Sequence, residues 1–295
     1  MEKEKAIAFN NEGAKHFLNQ AFEKAAECYE KAYEIDPNNT SILNNMGLYY
    51  QQQKDYDKAI MFFEKAIKIK LKPHFLVNLG NALSMKGEYA LAWDQFSEAS
   101  ERFPDHQNAK ISLAKLATHV EDLDKAVQIW QNIIIETPSD QNKTQLVRVF
   151  MKMNQWEKAI HTLSSMDSNS WSGETWFLAG QCEFHLKNYG LAVKSFKSAL
   201  AEAPDNTSFR HYLAMTYLAM GNVREGLDHL LKNARLEPEN PAILTDVAVV
   251  YLSKGEVETA ANWLDKALDL APNFEKALHY KSQMKQINSR HQEQN

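Results

Sequence analysis

The sequence predicts an all-α protein built as a solenoid of antiparallel helix pairs, and three observations predict it. Strings of Ala, aromatic, Ala and Pro recur at near-constant spacing along the 295 residues. A second string, apolar then small then a spaced aromatic or aliphatic residue, precedes most of them. Gly (10) and Pro (8) are scarce, which disfavours a turn-rich all-β chain.

The clearest strings are Ala25-Tyr29-Ala32-Pro37, Ala92-Phe96-Ala99-Pro104, Ala192-Phe196-Ala199-Pro204 and Ala260-Leu264-Ala267-Pro272. Looser copies lie between them: Ala59-Phe63-Ala66, Ala126-Trp130-Ile133-Pro138, Ala159-Leu163-Met166 and Gly226-Leu230-Asn233-Pro238. The upstream strings include Met46-Gly47-Tyr50, Leu79-Gly80-Leu83, Leu213-Ala214-Tyr217 and Val247-Ala248-Tyr251. Aligned, they start repeats near residues 6, 40, 73, 107, 140, 173, 207 and 241, spaced by 33 or 34 residues. This pattern resembles the tetratricopeptide repeat family, whose unit is about 34 residues long. The resemblance covers residues 6–274 and implies a right-handed superhelical solenoid of helix pairs, A then B.

The residue choices have physical reasons. Small residues such as Gly80 and Ala92 let the two helix axes approach, and aromatics such as Phe96, Tyr50 and Tyr251 fill the space between neighbouring repeats. Pro37 and Pro204 lack the N–H needed to continue helix B. Gly87, Gly221 and Gly255 mark the A–B turn, where positive φ suits glycine. One unit cannot bury its apolar stripe alone, so stability comes from stacking.

Domain organisation follows. Residues 1–274 hold eight repeats, 275–287 form a polar-backed capping helix, and 288–295 read as a polar tail. Repeat 5 lacks its terminal Pro and runs into Asp167-Ser168-Asn169-Ser170-Trp171-Ser172-Gly173. Residues 166–173 are therefore a longer turn in one continuous solenoid or, alternatively, a hinge between repeats 1–5 and 6–8.

Composition narrows the function classes. Lys and Arg total 33 against 38 Asp and Glu, a formal net charge of −5, which argues against nucleic acid as main partner. No run approaches the roughly 18–20 apolar residues of a membrane span, so direct membrane insertion is not expected. The N-terminus does not read as a secretory signal, which makes a cytoplasmic location the expectation. Two cysteines, Cys28 and Cys182, are too few for a disulfide framework or Cys-rich metal site.

Chemistry is sparse. There is no Gly-rich phosphate loop, His-Glu-x-x-His or Gly-x-Ser-x-Gly, so no enzyme, cofactor or metal site is expected. Cys182 and His185 lie three apart on one helix, but both cysteines read as structural. Tyr56, Tyr89, Trp156 and Tyr189 share one repeat slot just after the A–B turn and read as core.

The family resemblance implies that A helices line a concave groove in which partner peptide lies, through repeat positions 2, 5, 6, 9, 12 and 13. Position 6 carries Asn11, Asn45 and Asn78, and position 9 adds Asn81. Such amides can bind an extended peptide backbone, or they are simply solvated. The Lys/Arg clamp that related domains use on chaperone tails is not matched: its slots hold Asn10, Ala14, Asn45, His74 and Asn78, and only Asn45 fits. In repeats 4 and 5, positions 9 and 13 are Lys115 and His119, then Arg148 and Lys152. No Asp or Glu occupies either position in any repeat, so the central groove should attract an acidic or phosphorylated segment. Repeats 6–8 place Phe177, Leu178, Phe184, Tyr212, Met215, Leu218, Val249 and Leu252 inward. That apolar trough suits an amphipathic helix, a tail of the same chain or a second copy, although helix packing also accounts for it.

The expected function is a protein–protein interaction scaffold or adaptor. A peptide-sensing receptor that switches a partner is the alternative; related receptors carry an N-terminal DNA-binding domain, for which no room is read before residue 6. The regulatory part of an enzyme is a third reading that no sequence feature favours.

Overall fold

The computed structural model describes residues 2–293, those from 285 onward by backbone alone. Every regular element among the described residues is helical. The chain divides into two compact units, residues 1–153 and 154–295.

The first unit contains α1 (Glu2–Leu18), α2 (Phe22–Ile35), α3 (Thr40–Gln52), α4 (Tyr56–Ile69), α5 (Pro73–Lys86), α6 (Tyr89–Arg102), α7 (Gln107–His119), α8 (Leu123–Glu136) and α9 (Asp140–Lys152). Its helices pack in antiparallel pairs, α1 with α2 through α7 with α8, and each B helix also packs on the next A helix. The second unit begins with the short α10 (Trp156–Ser164) and a 3-10 turn at Ser168–Ser170. It continues with α11 (Gly173–His185), α12 (Tyr189–Glu202), α13 (Thr207–Ala219), α14 (Val223–Leu236), α15 (Pro241–Ser253), α16 (Val257–Leu270) and α17 (Glu275–Glu293). The boundary between units falls after Met153, whereas residues 166–173 lie within the second unit. Helix α17 runs to Glu293, past Ile287; residues 294 and 295 lie outside the described ones.

Caps fix where the helices begin. The Asn39 side chain accepts from the Ser41 and Ile42 amides, Asp122 from Lys125, Ser139 from Asn142, and Asn206 from Phe209. Each satisfies a main-chain donor that the first helical turn leaves unpaired. The A–B turns need one left-handed residue. Gly87, Gly221 and Gly255 supply it with φ between 77° and 91°, but Gln20, Lys54, Glu121, Asn154 and Lys187 adopt φ between 56° and 63° in the remaining five turns. That slot was legible only where glycine fills it.

The recurrent strings are the core. Ala25, Ala59, Ala92 and Ala126 of the first unit, and Ala192 and Ala260 of the second, are wholly buried. The aromatic four residues on fills the space their small side chains leave: Phe63, Phe96 and Phe196 are 0–2% exposed. A Cβ on Gly80 would stand 2.5 Å from Phe96 Cε1, and one on Gly47 would stand 2.4 Å from that of Phe63. Glycine on helix A thus seats the aromatic of its own helix B. Burying such a ring contributes about 2–3 kcal/mol.

Where the string fails, a polar group is satisfied instead. Asn233 occupies an alanine slot, is wholly buried, donates from Nδ2 to the Thr207 carbonyl at 2.7 Å and accepts from Arg210 at 3.2 Å.

The shared slot after the A–B turn is not core, in correction of the sequence reading. Tyr89 is 38% exposed, and Tyr56, Trp156 and Tyr189 are only half-buried. These are the first residues of B helices, so their rings lie beside the turn. Tyr89 and Trp156 meet the last residue of the following A helix, His119 and His185, the latter stacked at 3.9 Å, whereas Tyr189 meets Phe184 of its own repeat.

Candidate functional site

The central residues read from the sequence come together on the A-helix side of the first unit. Helix α7 carries Lys115, Thr118 and His119 on neighbouring turns, and α9 carries Gln145, Arg148 and Lys152. Two adjoining depressions result. One, of about 290 Å³, is lined by Asn81, Ser84, Ser112, Lys115 and His119 over Phe96 and Leu116. The other, of about 280 Å³, is lined by Lys115, Thr118, Gln145, Arg148 and Lys152 over Trp130 and Val149. Lys115 belongs to both, and no carboxylate lines either.

The cations are held by their surroundings. The Lys152 ammonium donates to the Thr118 carbonyl at 3.3 Å, an oxygen near the end of α7. Cations complement the negative end of a helix dipole, so this position suits Lys152. The Thr118 hydroxyl turns back to the Ala114 carbonyl at 2.8 Å. His119 Nε2 lies 3.0 Å from the Tyr89 hydroxyl. Lys115, His119 and Lys152 are exposed and Arg148 is half-buried, so the polar wall faces solvent while the aromatic floor is closed.

The asparagine column divides. Asn45 Nδ2 donates to Asn10 Oδ1 at 2.9 Å, and Asn78 Nδ2 donates to Asn44 Oδ1 at 2.8 Å. Asn10 and Asn44 are buried, so these amide pairs join A helices of successive repeats. Asn11 is exposed on α1, and Asn81 lies in the first depression.

In the second unit, Phe177 packs on Phe209 (4.6 Å between centroids) and Tyr212 (5.2 Å), and Tyr212 also meets Phe184 and Phe196. Much of the inward apolar set is therefore consumed by packing between helices, while Met215 remains 37% exposed. The trough is also less apolar than its sequence suggests. Asp246 of α15 accepts from Lys276 of α17 at 2.5 Å and lies 3.4 Å from His211 of α13.

Both cysteines are free and buried. Burial, reinforced by the Glu183 carboxylate, pushes the Cys182 thiol up to about 12, an environment that suppresses nucleophilic chemistry. One convergence escaped sequence reasoning: donor atoms of Glu12, His16 and Cys28 lie within 4.8 Å of one another. The four-residue spacing of Glu12 and His16 was the available signal; Cys28 joins them from another helix.

No described helix is long and apolar enough to cross a membrane. A tetratricopeptide repeat family model matches residues 4–72, and a second matches residues 144–207 and 213–273, together about two thirds of the chain. Tetratricopeptide repeat protein 21A of Mus musculus is 25% identical over 273 residues, covering 87% of this chain and 19% of that protein. The Hsp70-Hsp90 organizing protein of Triticum aestivum is 25% identical over 276 residues, covering 92% of this chain and 42% of that protein. This chain thus spans less than half the length of either relative. A crystal structure of the APC/C hetero-tetramer Cut9-Hcn1 aligns with TM-score 0.57 at 17% identity, over 92% of this chain and 54% of that one, a likeness of fold. With its helix pairs, buried Ala/aromatic strings and two matching family models, the chain belongs to the tetratricopeptide repeat family.

Proposed function

We propose that this chain is a protein-interaction scaffold whose first unit docks an acidic or phosphorylated segment of a partner on α5, α7 and α9. Proteins of this family act as interaction scaffolds, and the relatives above supply that coarse expectation. The observation that carries the finer reading is the pair of depressions sharing Lys115. They gather Lys115, His119, Arg148 and Lys152 without a lining carboxylate, in a chain of net charge −5.

The end of α7 accounts for Lys152, but it does not ask for Lys115 nearby, and like charges repel at this spacing. A guanidinium can grip carboxylate or phosphate through two parallel hydrogen bonds, and a lysine adds an adaptable point charge. The amides of Asn81 and Gln145 and the hydroxyls of Ser84 and Ser112 offer donors and acceptors for a peptide main chain. A surface pair contributes no more than about 1 kcal/mol. Useful affinity therefore needs several contacts at once, and it will be sensitive to salt.

Panning the full chain against acidic, phosphorylated and basic peptide libraries tests the reading. Enrichment of acidic or phosphorylated sequences supports it; enrichment of basic or purely apolar ones contradicts it.

A further inference from the structure

Helix α1 presents Glu12 and His16 one turn apart, with the imidazole Nε2 3.9 Å from the carboxylate. Between them lies Gly13, where a Cβ would stand 3.2 Å from Cys28 Cβ. The missing side chain lets α2 close on α1 and brings the Cys28 sulfur to the same spot. Donor atoms of all three residues lie within 4.8 Å of one another.

We propose that Glu12, His16 and Cys28 form a Zn²⁺ site that clips α1 to α2 and leaves a fourth position for water. Tetrahedral zinc, with bonds of about 2.0–2.3 Å, sets its ligand atoms roughly 3.3–3.8 Å apart. The shift required is about 1 Å, within the rotamer freedom of Glu12 and His16, whose side chains are 59% and 30% exposed. Cys28, 9% exposed on a packed helix, is the fixed member. A thiolate with an imidazole selects zinc over calcium or magnesium, which take all-oxygen sets. Binding releases the thiol proton to solvent.

Titration of the full, reduced, metal-stripped chain with Co²⁺ tests this. One equivalent should give thiolate-to-cobalt charge-transfer absorption, displaced by Zn²⁺. Cys28→Ser should abolish it, His16→Ala and Glu12→Gln should each weaken binding at least about tenfold, and Cys182→Ser should leave it unchanged. Absence of that absorption, its survival in Cys28→Ser, or its loss in Cys182→Ser overturns the site. Should Cys28→Ser fail to fold, the surface variant Glu12→Gln together with His16→Ala decides: unchanged affinity in both overturns the site, and loss in both upholds it.

Discussion

Asn45 donates from Nδ2 to the buried Oδ1 of Asn10, 2.9 Å away and one repeat earlier, so the two amides join α3 to α1. Asn78 repeats the relation with Asn44. Truncating the donor leaves a buried acceptor without its partner, which costs about 1–3 kcal/mol. Asn45→Ala and Asn78→Ala should therefore lower the urea midpoint and speed amide exchange in α1–α5. Asn81→Ala should stay within about 0.5 kcal/mol of the parent and weaken peptide binding. Equal stability losses at all three positions would contradict this division.

Gly80 is a packing requirement. Alanine there gains about 1 kcal/mol of helix propensity but drives a methyl into the buried Phe96 ring, 2.5 Å from Cε1. Overpacking of this kind costs about 1–3 kcal/mol. Gly80→Ala should be net destabilising, and denaturation showing stabilisation would mean that α5 and α6 separate freely.

The turn residues make the opposite prediction. Lys187 holds φ 62°, a region where a side chain is strained. Lys187→Gly relieves about 1 kcal/mol of strain and returns part of it as unfolded-state entropy. A net gain of roughly 0.5 kcal/mol is expected, whereas Gly87→Ala, at φ 91°, should be destabilising.

Cys182 gives the fold an alkaline limit. Its thiol moves from 9.0 to about 12, first through burial and then through Glu183. Below pH 9.0 the folded and unfolded chains both keep the proton, and the full stability is present. As pH rises from 9.0 through about 12, the unfolded chain ionises first and stability falls. Cys182→Ala should flatten this part of the profile, and at pH 8 the thiol should react with a disulfide reagent only after unfolding. Rapid labelling of the folded chain would refute this.

The helix pairs were legible because Ala, aromatic and Pro each answer a local demand: close approach, volume and termination. Position 9/13 cations were legible too, since helical spacing alone puts Lys115 beside His119. Other features depend on partners from separate elements. Tyr89 occupies a recurrent slot yet stays exposed because His119 of the following repeat receives it. Asn45 looked solvated until Asn10 was found beneath it. Phe177 and Tyr212 looked available, but their rings pack on one another. Left-handed turns at Lys54 and Glu121 carry no glycine to announce them.

The basic groove is tested most directly by fluorescence anisotropy of an acidic or phosphorylated peptide selected by the full chain, compared with Lys115→Glu/Lys152→Glu. Both side chains are exposed, so the double variant should keep its helical circular dichroism and melting temperature. Affinity of the parent should fall steeply between ~50 and ~500 mM salt, because added salt shortens the Debye length and weakens attraction between exposed charges. The reversal should weaken binding at least about a hundredfold, or roughly 2.7 kcal/mol. Binding that ignores salt and survives the reversal would contradict an electrostatic groove and move the site to another surface.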